Sequence, residues 1–219
     1  MNMQHRFNGF DGKVSMKGIM QLSKLADHQA IRAREVAAAS KRIADESPKE
    51  ATWICLQVDS GRELTVEKML GDAEIDAVVA MRKGPVLRRR HKELPPQDLP
   101  VLNGYVPVRC VSTPEAMRGL KGFDYVRGVV GGWDNPRCVA FQEMTTFNEK
   151  AARGEYDFKR PAGLFSKGQK VEVTAGPFSF LKGEIITCRT DGCGDAVVEM
   201  VLLGRPVPVL LPLALLRRL

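Results

Sequence analysis

The chain is short of the residues that carry covalent chemistry. Its 219 residues include only three histidines, five cysteines, two tryptophans and three tyrosines. His5, His28 and His91 stand far apart, none beside a nucleophile or an orienting carboxylate, which argues against general acid–base or nucleophilic catalysis. Cys55, Cys110, Cys138, Cys188 and Cys193 are odd in number and scattered, so neither a disulfide framework nor a four-ligand zinc site is read from them. The two that are close, Cys188 and Cys193, flank a hairpin, and two thiols alone make a poor metal site. The glycine motifs that cradle nucleotide phosphates are missing as well. So are long apolar runs: the segment VPVLLPLALL (Val207–Leu216) is too short to cross a bilayer as a helix and contains Pro208 and Pro212. The N-terminus lacks the basic patch, apolar core and cleavage site of a secretory signal. These absences predict a cytoplasmic protein in a reducing compartment, not an enzyme, with no cofactor and no metal.

What the chain has in excess is positive charge. Lys and Arg number 33 against 26 acids, a formal net charge of +7, which favours an anionic partner, nucleic acid ahead of a membrane surface. The densest stretch is RKGPVLRRRHK, with Arg82, Lys83, Arg88, Arg89, Arg90 and Lys92 and no acid among them. Phosphate contacts from such a loop add salt-dependent affinity with little sequence information; a solvated loop is the plainer alternative. The acids Asp72, Glu74 and Asp76 read as a solvated turn.

Periodicity divides the chain. Residues 1 to about 20 read as a flexible tail, and Leu22 to Ala44 as a weakly amphipathic helix with an alanine-rich stripe, together a partly helical extension over 1–50. An α+β domain follows over 51–153: a strand TWICLQV, a turn at Ser60-Gly61, a helix RELTVEKML, strands at Ile75–Met81 and Gly104–Cys110, a helix capped by Thr113 with Pro114 at its first position, a strand FDYVRGVV, and a closing helix through Phe141, Met144 and Phe147. Residues 154–163 read as a linker. From Leu164 to Leu219 only strand-like segments and turn signals occur, which predicts a small all-β barrel. Along AVVEMVLL the side chains alternate, with Val198, Met200 and Leu202 inward and Val197, Glu199, Val201 and Leu203 outward. Val201 and Leu203 beside Arg205 are then an exposed apolar patch of the kind that meets a partner. Pro208 belongs on an edge strand or an outward position.

The order Gly168, Val171, Val173, Gly176-Pro177-Phe178, Gly183, and a long strand ending in Gly204-Arg205 followed by PVPV resembles the KOW domain of the bacterial NusG family of transcription factors. Trp53, SGRE, NGYVPVR and VVGGWDNPRCVAFQEM, in that order, resemble the NGN domain of the same family. The resemblance covers about residues 51–219. It implies a non-catalytic elongation factor, a monomer with no membrane partner. Its NGN domain binds the clamp helices of the largest RNA polymerase subunit and suppresses pausing, while the tethered KOW domain recruits ribosomal protein S10 or Rho and so modulates termination and antitermination. On that reading Trp53, Leu102, Tyr105 and Phe141, or Phe147, form the polymerase face. Core is the preferred place for Trp53 and the helix phenylalanines, and Tyr105 is better suited to a partly wet interface. Phe178, Val201, Leu203 and Arg205 form the KOW partner face, and the basic loop faces nucleic acid. Apolar side chains left uncovered on both domains are the premise of the reading. Leu102-Asn103 stands where most members have Phe-Pro, and Leu203 where housekeeping members carry Phe, which leaves open a specialised paralogue of the RfaH type. The alternative is a KOW-type RNA-binding or ribosome-associated structural protein.

Overall fold

Ser15 starts the first helix: its backbone is extended and its hydroxyl accepts the Gly18 N–H at 3.2 Å, satisfying one of the donors a helix start leaves free. The computed structural model describes residues 15–89, 92–202 and 204–219. Helix α1 (Met16–Ala38) is longer at its start than periodicity predicted, and it does not run on to Ala44. The Ala39 and Ser40 N–H groups turn back to the Val36 and Ala37 carbonyls, a tightening that ends the helix before the short α2 (Lys41–Glu46). The break lets Ala39 and Ala44 sink fully into the domain while no residue of α1 itself is buried.

The first sheet is built from β1 (Ala51–Val58), helix α3 (Glu63–Asp72), β2 (Asp76–Ala77), the short strands β3 (Met81–Lys83), β4 (Leu87–Arg89), β5 (Lys92–Leu94) and β6 (Asp98–Pro100), then β7 (Tyr105–Val111), α4 (Pro114–Lys121), β8 (Val126–Val129) and α5 (Phe141–Ala152). Four strands pair antiparallel in the order β2-β7-β1-β8, while β3–β6 and β4–β5 form two separate ribbons. Alternation sends Ile54, Leu56, Val106 and Val108 to one face, under α3 and α4, where Val66, Leu70, Met117 and Leu120 meet them. It sends Trp53, Cys55 and Tyr105 to the other. Thr113 caps α4 as the sequence predicts, accepting the Ala116 N–H. The single strand expected over Ile75–Met81 is two short ones. Val78 donates to the Pro107 carbonyl, but proline has no N–H to return, and the next donor, Val79, is taken by the Glu67 carboxylate at 2.7 Å. The ladder to β7 stops there.

The second sheet comprises β9 (Lys170–Val173), β10 (Lys182–Cys188), β11 (Asp195–Leu202), β12 (Arg205–Pro212) and, after a 3₁₀ turn at Leu213–Leu215, β13 (Leu216–Arg218). They pair antiparallel in the order β12-β11-β10-β9-β13. Val198 and Met200 are buried, Glu199 and Val201 face outward, and Pro208 is exposed on the edge strand β12, all in the predicted phase. The fold is thus a mixed α/β unit with an N-terminal helix and a C-terminal all-β sheet.

Residues 154–163 are folded in rather than free: Tyr156 is buried and stacks on Phe147 with ring centroids 5.3 Å apart, and Phe158 donates its N–H to the Lys83 carbonyl at 2.9 Å. One apolar core therefore runs from the Trp53–Tyr105 face of the first sheet into the second.

Helix α1 crosses α4 at Gly119, where any Cβ would fall inside contact distance of the Glu35 carbonyl and the Val36 nitrogen. Gly119→Leu is expected to cost about 1–3 kcal/mol by overpacking. Gly71→Ala, in α3 with nothing near its Cβ position, is expected to stabilise by roughly 0.5–1 kcal/mol. Urea unfolding followed by circular dichroism measures both; equal midpoints for the two variants would contradict the close crossing.

Candidate contact faces and the seam between the sheets

Tyr105 is the first residue of β7, and what precedes it sets its direction. Gly104 takes φ +81°, a conformation other residues rarely adopt, and donates its N–H to the buried Glu63 carboxylate at 2.6 Å. The Tyr105 ring thereby points across the sheet to Phe178, edge to face, with centroids 4.9 Å apart and planes at 86°. Phe178 sits on a tight turn: Ser179 donates to the Gly176 carbonyl and Leu181 to the Phe178 carbonyl, both at 3.0 Å. Gly176 lies against the Phe147 ring so closely that a side chain would not fit. Phe180, next to this turn, holds φ +64° and stays exposed.

Here the structure corrects the premise of uncovered apolar residues. Phe178 has no exposed surface, and Trp53, Leu102 and Tyr105 are each about 5–6 % exposed in the same core. Phe147 is equally core. Only Phe141 of the expected polymerase face is open, at 61 %. Strand alternation placed these residues on one face, but it carries no information about what that face meets.

A charged contact closes the seam. Arg82, on β3, presents a fork to Asp195, the first residue of β11: Nη2 donates to Oδ2 at 2.9 Å and Nη1 lies 2.7 Å from Oδ1. The Arg82 side chain is 5 % exposed, and Nη1 also donates to the Tyr156 carbonyl at 3.5 Å. Arg82 had been grouped with the basic loop; its side chain is instead buried between the two sheets. Arg137 adds a donor to the Ser179 carbonyl at 2.7 Å, and Ser179 Oγ donates to Glu143 at 3.1 Å, tying the Phe178 turn to α5. Neither the Arg82–Asp195 pair nor the Tyr105–Phe178 pair has a local sequence signal, although the glycine-proline turn singled out Phe178.

The remaining expected residues scatter. Lys83 is exposed and pairs with Asp98 at 2.7 Å, whose hydrogen bond and charge push the ammonium pKa up. Arg88, Arg89 and Lys92 fall on the β4–β5 ribbon, in register Arg88 with Glu93 and Arg89 with Lys92, while Arg90 lies outside the described residues. On the second sheet Val201 is 67 % exposed and Arg205 is exposed, and Leu203 lies outside the described residues. Register adds companions that sequence reasoning missed: Pro206 lies opposite Val201 and Leu210 opposite Val197, extending the outer apolar strip over both strands of the hairpin. Among the described residues no cluster of His, Cys, Asp and Glu is placed to hold a metal ion, and the cysteines are unpaired. Burial pushes the Cys55 and Cys110 thiols up, the latter to about 12.

Fold and seam define a two-part protein: an α/β sheet unit and an all-β unit joined through a shared aromatic core. A family model described as "Transcription termination factor nusG" matches residues 51–148. The transcription termination/antitermination protein NusG of Buchnera aphidicola is 25% identical over 173 residues, covering 72% of this chain and 90% of that protein. NusG of Xylella fastidiosa is 28% identical over 151 residues, covering 67% of this chain and 80% of its own. A solved structure of Thermotoga maritima NusG aligns over 78% of this chain and 98% of that one at 21% identity, with a TM-score of 0.41. The chain is thus similar to NusG, described in those relatives as a transcription termination/antitermination protein, with the family match confined to residues 51–148.

Asp195→Ala leaves the Arg82 guanidinium buried without its partner, a defect of about 3–5 kcal/mol in comparable pairs. It is expected to separate the sheets, read as faster amide exchange at Tyr105–Val111 and around Phe178. Exchange unchanged at both places would remove the fork as the clasp. Alkaline pH tests the same seam. Burial pushes the Tyr105 hydroxyl up from 10.0 to about 12. Its folded pKa is raised, so its contribution is complete below pH 10 and lost as pH rises towards about 12. Absorbance titration is expected to show a late tyrosinate step that moves back towards 10 in Phe178→Ala.

Proposed function

We propose that the chain is a transcription elongation factor that grips RNA polymerase, at the clamp helices of its largest subunit, through the first-sheet face of Trp53, Leu102 and Tyr105 with Phe141 at its rim. The second sheet occupies that face until polymerase displaces it. The units are a partly helical extension at 1–50, an NGN domain at 51–153, a linker at 154–163 and a KOW domain at 164–219. Once released, the KOW domain offers Phe178, Val201, Leu203 and Arg205 to a second machine, ribosomal protein S10 or Rho. The linker keeps it at high effective concentration without fixing its orientation. Bound across the polymerase cleft, the NGN domain suppresses pausing, and the choice of KOW partner biases the outcome towards termination or antitermination. Lys83, Arg88, Arg89, Arg90 and Lys92 contact nucleic acid of the transcription bubble through phosphates.

The observation that carries this reading is the Tyr105–Phe178 contact. The aromatic residues Trp53 and Tyr105 of the first sheet share one face, and the ring that covers Tyr105, Phe178, comes from the second unit, whose Val171, Val198, Met200 and Leu211 are buried in the same core. Polymerase and the KOW domain then compete for one surface, and affinity for polymerase is reduced by the fraction of chain that is closed. The basic β4–β5 ribbon and the net charge also suit a second reading, an RNA-binding or ribosome-associated protein.

Binding of the full chain to core RNA polymerase is expected to tighten at least about tenfold, about 1.4 kcal/mol, in Asp195→Lys, and adding Tyr105→Ala to that variant is expected to reverse the gain. On a pausing template the Asp195→Lys chain shortens pauses, and Val201→Asp spares that effect while removing any dependent on S10 or Rho. No complex with polymerase at low salt for either chain, together with tight RNA binding, would replace the leading reading by the second.

A further inference from the structure

Helix α3 turns two carboxylates towards the backbone of the first sheet. Glu63 and Glu67 stand four positions apart, hence one turn from each other on the same side of the helix. Glu63 is 2 % exposed and Glu67 is half-buried. Glu63 Oε1 accepts the Gly104 N–H at 2.6 Å, and Glu67 Oε1 accepts the Val79 N–H at 2.7 Å. Strand pairing supplies neither bond. At Gly104 the carbonyl joins the strands, accepting from Val58 at 2.9 Å, and at Val79 the ladder to β7 has already ended beside Pro107. An N–H makes a stronger bond to a carboxylate than to a neutral acceptor, and leaving such a donor buried and unpaired is costly.

Each of these two donors stands at the root of one half of the seam. Gly104, at φ +81°, immediately precedes Tyr105, whose ring meets Phe178 with centroids 4.9 Å apart. Val79 is followed by Ala80, whose carbonyl accepts the Val101 N–H at 2.8 Å where the β3–β6 ribbon begins, and Arg82 reaches Asp195 from that ribbon. The ribbon stands outside the β2-β7-β1-β8 ladder, and residues 78–80, which Glu67 holds, lead from the ladder into it. The aromatic contact and the ion pair are thus rooted on one helix through two bonds a turn apart. Leu64, next to Glu63, is 51 % exposed and takes no part in either bond.

We infer that Glu63 and Glu67 are the positioning residues of the seam: they fix Tyr105 and Arg82 in the register in which the second sheet closes, and so set the fraction of chain that is closed. The two are not equivalent. Glu63 holds a residue that the proposed polymerase contact also needs, whereas Glu67 holds only the charged clasp. Loss of Glu67 then releases the Tyr105 face intact, and loss of Glu63 releases it disarranged. That difference rests on the polymerase reading given above; the positioning itself does not. Affinity for a partner of the open face follows the fraction of chain that is open.

Amide exchange of the full chain tests the positioning. Glu63→Leu and Glu67→Leu, which remove the acceptor, are each expected to speed exchange at Lys83, Phe158 and Ser179, whose N–H groups bond beside the seam, at least about tenfold. Ile185, inside the second sheet, is expected to keep its rate. Glu63→Gln and Glu67→Gln retain an acceptor oxygen and are expected to exchange like the unaltered chain, as is Leu64→Ala. Should circular dichroism show a leucine variant unfolded, Glu63→Asp or Glu67→Asp, one methylene short of its donor, is read in its place with the same expected direction. Unchanged rates at all three seam positions would overturn the inference, as would equal acceleration at Ile185, which is the mark of a role in overall stability alone. Binding to core RNA polymerase separates this inference from the reading above: Glu67→Leu is expected to bind at least about threefold tighter and Glu63→Leu no tighter. Tighter binding by Glu63→Leu than by Glu67→Leu would overturn the assignment of Tyr105 to Glu63. No binding by any chain, with the exchange pattern as expected, would sink the polymerase reading and support the positioning.

Discussion

A guanidinium taken out of water must find a carboxylate, and Arg82 finds one only in the other sheet. That constraint organises the molecule. Arg82 lies in the short β3–β6 ribbon opposite Leu99, and Asp195 at the start of β11 opposite Pro212, so the pair links a ribbon of the first unit to the second sheet. Their fork positions the second sheet over the first, and the aromatic contact of Tyr105 with Phe178 follows at the other side of the same seam. The attraction of the buried pair offsets its desolvation only while both members are present, so the seam is made or broken as a unit.

The apolar part of the seam supplies affinity and the charged part supplies register. Phe178 enters because the turn from Gly176 to Leu181 leaves no alternative direction for its side chain, and the positive φ of Phe180 is the conformational cost of that turn. The residues that close the protein on itself are those the proposed polymerase contact would use, and their contact keeps an apolar patch from water. The outer strip of β11 and β12, with Val201, Pro206 and Leu210, lies outside the seam and is exposed.

The N-terminal extension belongs to a different level of organisation. It touches α4 through backbone proximity at Gly119 and through two arginine contacts, and the segment after α1 contributes small residues, Ala39 and Ala44, to the core.

The alternation of Val198 and Met200 against Glu199 and Val201, the cap at Thr113 and the outward Pro208 follow from residue order alone, because strand and helix periods are local and each turn signal acts within a few residues. The same locality identified Tyr105 and Phe178 as residues of consequence. It could not place them in contact, nor move Arg82 out of a basic loop into a buried ion pair, nor split the strand at Val79, where a carboxylate twelve positions earlier takes the N–H. Those outcomes depend on groups distant in the chain reaching the same few ångströms. Only packing in three dimensions decides which face is closed, by what, and which charge is left without water.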